Sequence, residues 1–535
     1  EVGKRQYKKQ KRLKMETIFL YTSIFIFIFI CLVIVIPPLI LFYLYFIDKN
    51  QKQHAVLRNY PILGRIRYIL EQIGPELRQY MFNPDDSGKP FSRNDFTNIV
   101  ISGKYLKTLI SYGSKRDFEK SGWYIRNAFL PTLSEDMETN IHPKIKTKRY
   151  KIDHEGLFNR KESIESIDVS PWTLSDKYSF KIGEGDISNP WKVYGLMGMS
   201  AMSYGALGEN AISSISKGLG MATGSWLNTG EGGLAPCHQV GKSDIIMQIG
   251  PGLFGVRDIK GNWDWDKFVE KSRNPLVKGF ELKLHQGAKI RGGHVEGSKV
   301  SKSIAEIRGV EAGKNIDSPN RFKFLTDIPT LLNWIKRMKN EGQKPVGIKI
   351  VIGSDNSLDE LFKNIIKLNI KPDWITVDGS EGGSGATYQE MADSMGLPIK
   401  SGVVILDNTL RKYNLRKDIK VFASGKLFSP DSVAIALGLG ADCINIARGL
   451  MISVGCIQAL KCHTNECPVG VATTDKYLQN ALVVKEKQYR VLNYMITLRA
   501  GLNSLAAASG LKSPTEFRRE HIVYKDEKGT IISGN

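Results

Sequence analysis

Three cysteines fall within twelve residues, Cys456, Cys462 and Cys467, with five and then four residues between them and a Pro-Val-Gly tail behind the last. The other three, Cys31, Cys237 and Cys443, are scattered along the chain. An odd, tightly spaced triplet can enter disulfides or ligate a metal or cluster, and spacing alone leaves both open. Thiolates are the usual iron–sulfur ligands. A zinc site would want a fourth nitrogen or sulfur, for which His463 stands nearby.

A second group of residues pairs glycine with charge. Asn228-Thr-Gly-Glu231-Gly-Gly233, Gln286-Gly-Ala-Lys289 and Asp378-Gly-Ser-Glu381-Gly-Gly-Ser-Gly385 each follow an apolar run, as do Ser424-Gly425-Lys426 and Ala447-Arg448-Gly449, while Lys349 lies inside such a run. Glycine lets backbone N–H groups approach a phosphate, and Lys426 or Arg448 would neutralise it. Each glycine turn alone is a tight turn; together, in chain order, they point to a phosphate-bearing cofactor.

The elements that must position these residues begin near Trp191. Eight short β-rich runs start near Val193, Thr223, Ile245, Gly279, Val346, Trp374, Ile419 and Asp442, and helical periods follow most of them, from Glu209, Leu331, Leu358 and Ser429. Ser429 reads as a cap with Pro430 in the first helical position. Eight strand–helix units predict a (β/α)8 TIM barrel, with the chemistry at the carboxyl ends of its strands.

Upstream, Thr17 to Ile47 carries no charge and exceeds the roughly twenty residues that cross a bilayer, so it predicts a transmembrane helix that Pro37-Pro38 should kink or break. Basic residues flank both sides and leave orientation open. Residues 51–170 read as a partly helical lead-in, in which His54 to Tyr80 is amphipathic and suits either a membrane surface or an ordinary packed helix. The expected division is 1–50 for the basic N-terminus and anchor, 51–170 for the lead-in, 171–505 for the barrel and 506–535 for a tail. At 42% hydrophobic and 24% charged, 535 residues can bury a large core. The net charge of +21 is spread along the chain and accompanies no nucleic-acid-binding signature, so nucleic acid is not an expected partner.

Ser200-Ala-Met-Ser203-Tyr-Gly205-Ala, the three glycine motifs and above all Cys456-x5-Cys462-x4-Cys467-Pro-Val-Gly resemble the FMN-binding barrel of glutamate synthase, from about Pro190 to Leu505. Gly74-Pro-Glu-Leu-Arg-Gln-Tyr80 and Lys89-Pro-Phe-Ser-Arg93 are similar to the membrane-anchored, stand-alone members of that family. The resemblance implies a 3Fe-4S cluster on Cys456, Cys462 and Cys467. It implies FMN, with Met202 and Ser203 against the isoalloxazine, Gln248 and Lys349 at its polar edge, and Ser424, Gly425, Lys426, Arg448 and Gly449 around the phosphate. Lys349 would stabilise the anionic reduced flavin, or else is a barrel-interior lysine paired with a carboxylate. Glu231 and Lys289 would face the substrate as the catalytic pair.

The implied reaction is reduction of 2-iminoglutarate, from 2-oxoglutarate and ammonia, to L-glutamate, with electrons from a donor protein such as ferredoxin or an NAD(P)H-oxidising partner. The alternatives are the same flavin chemistry on another small substrate, or a non-catalytic membrane scaffold. The chain is expected to lack the glutaminase domain and β-helix of full glutamate synthases. It also carries Ile290-Arg291 where the family has Pro-Gly. Cluster chemistry favours a cytoplasmic barrel on a single-pass membrane anchor, with membrane lipid as a partner.

Overall fold

A computed structural model describes residues 2–156, 159–287 and 292–534. The chain divides into two compact units, one ending at Asn94 and the other starting at Asp95. In the first, Val2 to Asn50 is helical throughout and is long and apolar enough to cross a membrane. Pro37-Pro38 does not break it. The helices Val2–Ile30 and Ile36–Asn50 are joined by a π turn, Cys31–Val35, in which the Ile36 N–H donates to the Cys31 carbonyl. That wider turn takes up the pairing mismatch created by two residues without N–H donors. At the helix's end the buried Asp48 carboxylate accepts from Arg65 Nε (2.9 Å) and Nη2 (2.6 Å) and from the Ile62 N–H (2.9 Å), folding the helix Leu63–Leu77 back on it. Ile66, Ile69, Leu70 and Ile73 of that helix are all exposed. Their i, i+3, i+4, i+7 spacing makes one apolar stripe.

The second unit is built on a closed barrel of eight parallel strands. They are β1 (Met197–Met199), β2 (Trp226–Asn228), β3 (Asp244–Ile249), β4 (Val277–Lys283), β5 (Val346–Ile350), β6 (Trp374–Asp378), β7 (Lys420–Ser424) and β8 (Cys443–Ile446). Each overlaps one of the eight runs read from the sequence, β3 and β4 starting one and two residues earlier. The helices Glu209–Ala222, Ile328–Gly342, Asp359–Leu368 and Pro430–Gly438 occupy the four expected helical stretches. Ser429 caps the last, its N–H donating to Ser432 Oγ at 3.1 Å.

Strand side chains alternate, so the barrel interior is filled in layers. Trp226, Ile246, Trp374, Phe422 and Cys443 form an apolar layer near the strands' amino ends, closed below by Ile182, Trp191 and Val193 of a short hairpin. Two glycines make room for the tryptophans. A Cβ at Gly198 would stand 2.4 Å from the Trp226 ring, and one at Gly347 would stand 2.1 Å from that of Trp374. Two residues further along each strand the interior turns polar, with Asn228, Gln248, Glu281, Lys349, Thr376, Ser424 and Asn445 all buried.

The region before the barrel also contains a long antiparallel hairpin, Ile145–Glu155 with Arg160–Val169, that the sequence reading did not separate. Its strands are heavily charged and mostly solvent-facing, so the usual alternation of apolar and polar residues is blurred. It is tied to the helix Val484–Ala508 through Thr147 Oγ1 to Asn493 Oδ1 (2.6 Å) and Asn493 Nδ2 to the Lys148 carbonyl (2.9 Å). Near the C-terminus, Ile522–Lys525 pairs with Gly122–Ile125 on one side and Ile531–Ser533 on the other.

Candidate active site

The polar layer is organised by Glu281, wholly buried in β4. Its carboxylate accepts from Asn228 Nδ2 (2.9 Å), Gln248 Nε2 (2.7 Å), Trp374 Nε1 (3.2 Å) and Thr376 Oγ1 (2.5 Å). Four neutral donors satisfy this buried carboxylate, and among the described residues no cation forms an ion pair with it. The network fixes Gln248 by its amide nitrogen and continues outward, because Asn228 Oδ1 accepts the Gly230 N–H at 3.0 Å and thereby shapes the turn that carries Glu231. Gly230 takes φ 62°, and a Cβ there would lie 2.7 Å from the Ser203 nitrogen. The loops after β1 and β2 therefore meet at a point where a side chain does not fit.

Glu231 Oε1 accepts from Lys283 Nζ at 2.7 Å, both side chains being largely buried. Lys283 is two residues beyond Glu281 and projects to the same interior face. Arg308 adds positive charge; its burial pulls its pKa down to about 10, and Glu231 opposes that shift. Lys289, expected to act beside Glu231, lies outside the described residues.

Lys349 is buried in β5 with its ammonium 3.3 Å from Asp378 Oδ2, so the paired-lysine alternative describes its present contact. Asp378 Oδ2 also accepts the Gly287 N–H at 2.8 Å, and Gln286 Nε2 donates to the Gly383 carbonyl at 3.0 Å. The loops after β4 and β6 are pinned together by these bonds. Met202 is buried and Ser203 half-buried in the loop after β1.

At the ends of the last two strands, Ser424 Oγ meets Ser200 Oγ at 3.0 Å. Arg448 donates to the Glu381 carbonyl and lies against Gly383, where an added Cβ would stand 3.5 Å from its guanidinium. Burial lowers the Arg448 pKa, while Asp378 and Glu381 act to raise it. These hydroxyls and this guanidinium, with glycine backbone beside them, suit a phosphate. Lys426 and Gly449 stand differently. The Lys426 ammonium is 3.7 Å from Asp95, and Gly449 is required by packing, since a Cβ there would be 2.4 Å from Tyr494 Oη.

The helix Arg448–Val454 begins with that arginine and runs into Gly455 and Cys456. All six cysteines are free, so the triplet forms no disulfide. Cys456 is pushed up to about 11, chiefly by burial and further by Cys462 and Cys467, and Cys462 is raised by burial and by Cys467. The three thiols thus lie within electrostatic reach of one another. Among the described residues no group of three His, Cys, Asp or Glu side chains has the arrangement to hold a single metal ion. Buried Lys299 fastens the loop, donating to the carbonyls of Ala206 (3.0 Å), Cys462 (2.9 Å) and Ala472 (3.1 Å).

Sequence reading missed Glu281, Lys283 and Lys299. The first two left a signal: two charges spaced by two within Gly-Phe-Glu-Leu-Lys-Leu, a run otherwise apolar enough to be buried on both faces.

Residues 132–512 match the conserved region in glutamate synthase. The chain is 55% identical over 497 residues to the glutamate synthase large subunit-like protein YerD of Bacillus subtilis (strain 168), covering 93% of this chain and 95% of that one. It is 30% identical over 324 residues to the archaeal-type glutamate synthase (NADPH) of Thermotoga sp. (strain RQ2), covering 60% of each chain. It is 31% identical over 322 residues to the archaeal glutamate synthase (NADPH) of Methanocaldococcus jannaschii, covering 59% of each.

Removing one partner of a buried ion pair leaves an unpaired charge. Lys283→Met is expected to cost on the order of 3 kcal/mol, and Lys283→Met combined with Glu231→Gln to recover most of it. Denaturant unfolding of the two single variants and the double variant measures this; additive losses would show that the pair is not coupled.

Proposed function

This chain belongs to the glutamate synthase family, and from that premise we propose that it is a membrane-anchored oxidoreductase reducing 2-iminoglutarate to L-glutamate. FMN and a 3Fe-4S cluster, when bound, would supply hydride and single-electron chemistry respectively. The observation that carries this reading is the shared helix Arg448–Val454, with the phosphate-site arginine at one end and the first cysteine just past the other. Seven residues at 1.5 Å each keep the two cofactor sites about 10 Å apart along a rigid element.

The chain's own residues divide the work. Ser424, Gly425 and Arg448 hold the phosphate, with Lys426 and Gly449 at its margin. Gln248, oriented by Glu281, and Lys349, held by Asp378, face the polar edge of the flavin, while Met202 and Ser203 lie against its rings. Glu231, steadied by Lys283, assists proton transfer at the substrate, and Lys289 binds the substrate's carboxylate. Cys456, Cys462 and Cys467 hold the cluster. The triplet's soft donor set would fit such a cluster, which would supply single-electron transfer there.

The helix Val2–Asn50 is the anchor, and the exposed stripe Ile66, Ile69, Leu70 and Ile73 rests on the membrane surface. The barrel lies on the cytoplasmic side, where reduced electron donors are found. An impermeant thiol reagent should therefore leave Cys237 and Cys443 unlabelled in intact cells and reach them after denaturing permeabilisation; labelling from outside would reverse the orientation. A second reading, the same chemistry on another small substrate, is favoured by Ile290-Arg291 following Lys289 in the sequence.

Chemically reduced, anaerobically purified protein should be reoxidised by 2-oxoglutarate with ammonium, yielding glutamate. Reoxidation only by other keto or imino acids would sustain the second reading, and none by any of them would overturn both.

The cofactor assignments are tested by composition. Purified protein should contain about three irons per chain with acid-labile sulfide, lost in Cys462→Ser, and FMN, bound more weakly in Arg448→Ala. Loss of a charge-assisted phosphate contact should cost about 2 kcal/mol, roughly thirtyfold in affinity. Zinc without sulfide would refute the cluster, and unchanged flavin affinity would refute the phosphate site.

A further inference from the structure

We infer that the face of the barrel opposite the active site carries a second anion site, which takes an organic phosphate. A cavity of about 600 Å³ opens there, within the size range of small-molecule pockets, and Arg411, Arg416, Lys417, Lys420, Arg518 and Arg519 all line it. Lys420 is the first residue of β7 and the phosphate-site candidate Ser424 its last. At about 3.3 Å per residue the two sites are roughly 13 Å apart along the strand and open at opposite mouths of the barrel.

Among the described residues the positive charge in this cavity is not balanced. Asp407, fully buried behind it, accepts from Arg411 Nε (2.8 Å), Arg416 Nε (2.7 Å) and Arg519 Nη2 (2.7 Å), so three guanidiniums share one carboxylate. Asp442 in the wall is satisfied by Arg416 Nη1 at 3.0 Å and by the Val421 N–H at 2.7 Å. Among the described residues Lys417, Lys420 and Arg518 form no ion pair with a carboxylate. Among the described residues six cations therefore face three carboxylates, Asp407 behind the cavity and Asp442 and Glu520 in its wall.

Ordinary helix electrostatics accounts for part of this excess. The helices Ile399–Lys412 and Pro430–Gly438 end on this face, and each carboxyl terminus is equivalent to about half a negative charge. Their sum, about one charge, leaves roughly two positive charges without a counterpart. A phosphate monoester or pyrophosphate carries about that charge, and guanidiniums suit its oxygens.

The remaining wall favours an organic body on that phosphate. Phe180 and Tyr178 stand at the site with Leu437 and Pro514, and the Lys420 ammonium lies 5.2 Å from the Phe180 ring centroid. An aromatic or sugar moiety would find apolar surface there while its phosphate meets the arginines. A nucleotide and a phospholipid headgroup share this chemistry, and two probes separate them.

The test is calorimetric titration of the full-length, detergent-solubilised protein with ADP, and separately with glycerol 3-phosphate, after the flavin site has been loaded with FMN and free FMN, itself a phosphate monoester, has been removed by gel filtration. The expected result is saturable one-to-one binding that weakens as salt is raised and at least tenfold in Lys417→Ala/Lys420→Ala, with the thermal midpoint unchanged. If that double variant fails to fold, Lys417→Glu, at an exposed position, carries the same comparison. Tighter binding of ADP identifies a nucleotide, and equal affinity identifies a phosphate read without its base, as in a headgroup. The proposal is overturned if neither probe binds saturably, or if binding survives the lysine substitutions.

Discussion

A carboxylate in the middle of a barrel must be surrounded by donors or the barrel does not close around it, and Glu281 imposes that requirement on four strands at once. Its partners come from β2, β3 and β6, and it stands itself on β4. An unsatisfied buried anion costs several kcal/mol, so the four donors hold one register among strands that could otherwise slide. The consequences run outward. Trp374 is locked by its indole N–H into the apolar layer below, and Asn228 is set to receive the Gly230 N–H above. The Glu231–Lys283 pair therefore stands on a foundation built from the barrel's centre.

The same economy governs the two ends of the helix Arg448–Val454. Its first residue reaches across to the loop after β6, and its exit delivers Cys456 into a loop that Lys299 fastens to three carbonyls from three segments. Tyr494 presses on Gly449 from the long helix Val484–Ala508 and leaves no room for a side chain. The separation between Arg448 and the cysteines is thus set by packing and does not depend on a flexible connection.

The polar character of the interior also separates the two mouths of the barrel. The aromatic layer of Trp226, Trp374 and Phe422, sealed by Trp191, divides the site at the strands' carboxyl ends from the basic cavity at their amino ends. Basic residues that composition shows only as a net charge of +21 are in part gathered at one place, around Asp407. That gathering requires the loop after the helix Ile399–Lys412 and the segment 518–521 to meet, two stretches about a hundred residues apart in the chain.

The sequence by itself determined what depends on local pattern. Eight apolar runs with helical periods between them could close only a limited set of folds, and glycine beside charge fell at the carboxyl ends of the strands they form. The cysteine spacing with its Pro-Val-Gly tail narrowed the chemistry further, and Thr17 to Ile47 declared a long apolar helix through composition alone. What the tertiary structure decided is which charged groups meet. Lys283 rather than a residue of the same motif pairs with Glu231, and Lys349 meets Asp378 across neighbouring strands. Glu281 reads as one more strand residue until four donors are seen around it. Pro37-Pro38 reads as a break until a π turn absorbs it. Electrostatic and hydrogen-bond partners are chosen by distances that close only when the barrel does, and one strand's period carries no information about the residue it will face across the barrel.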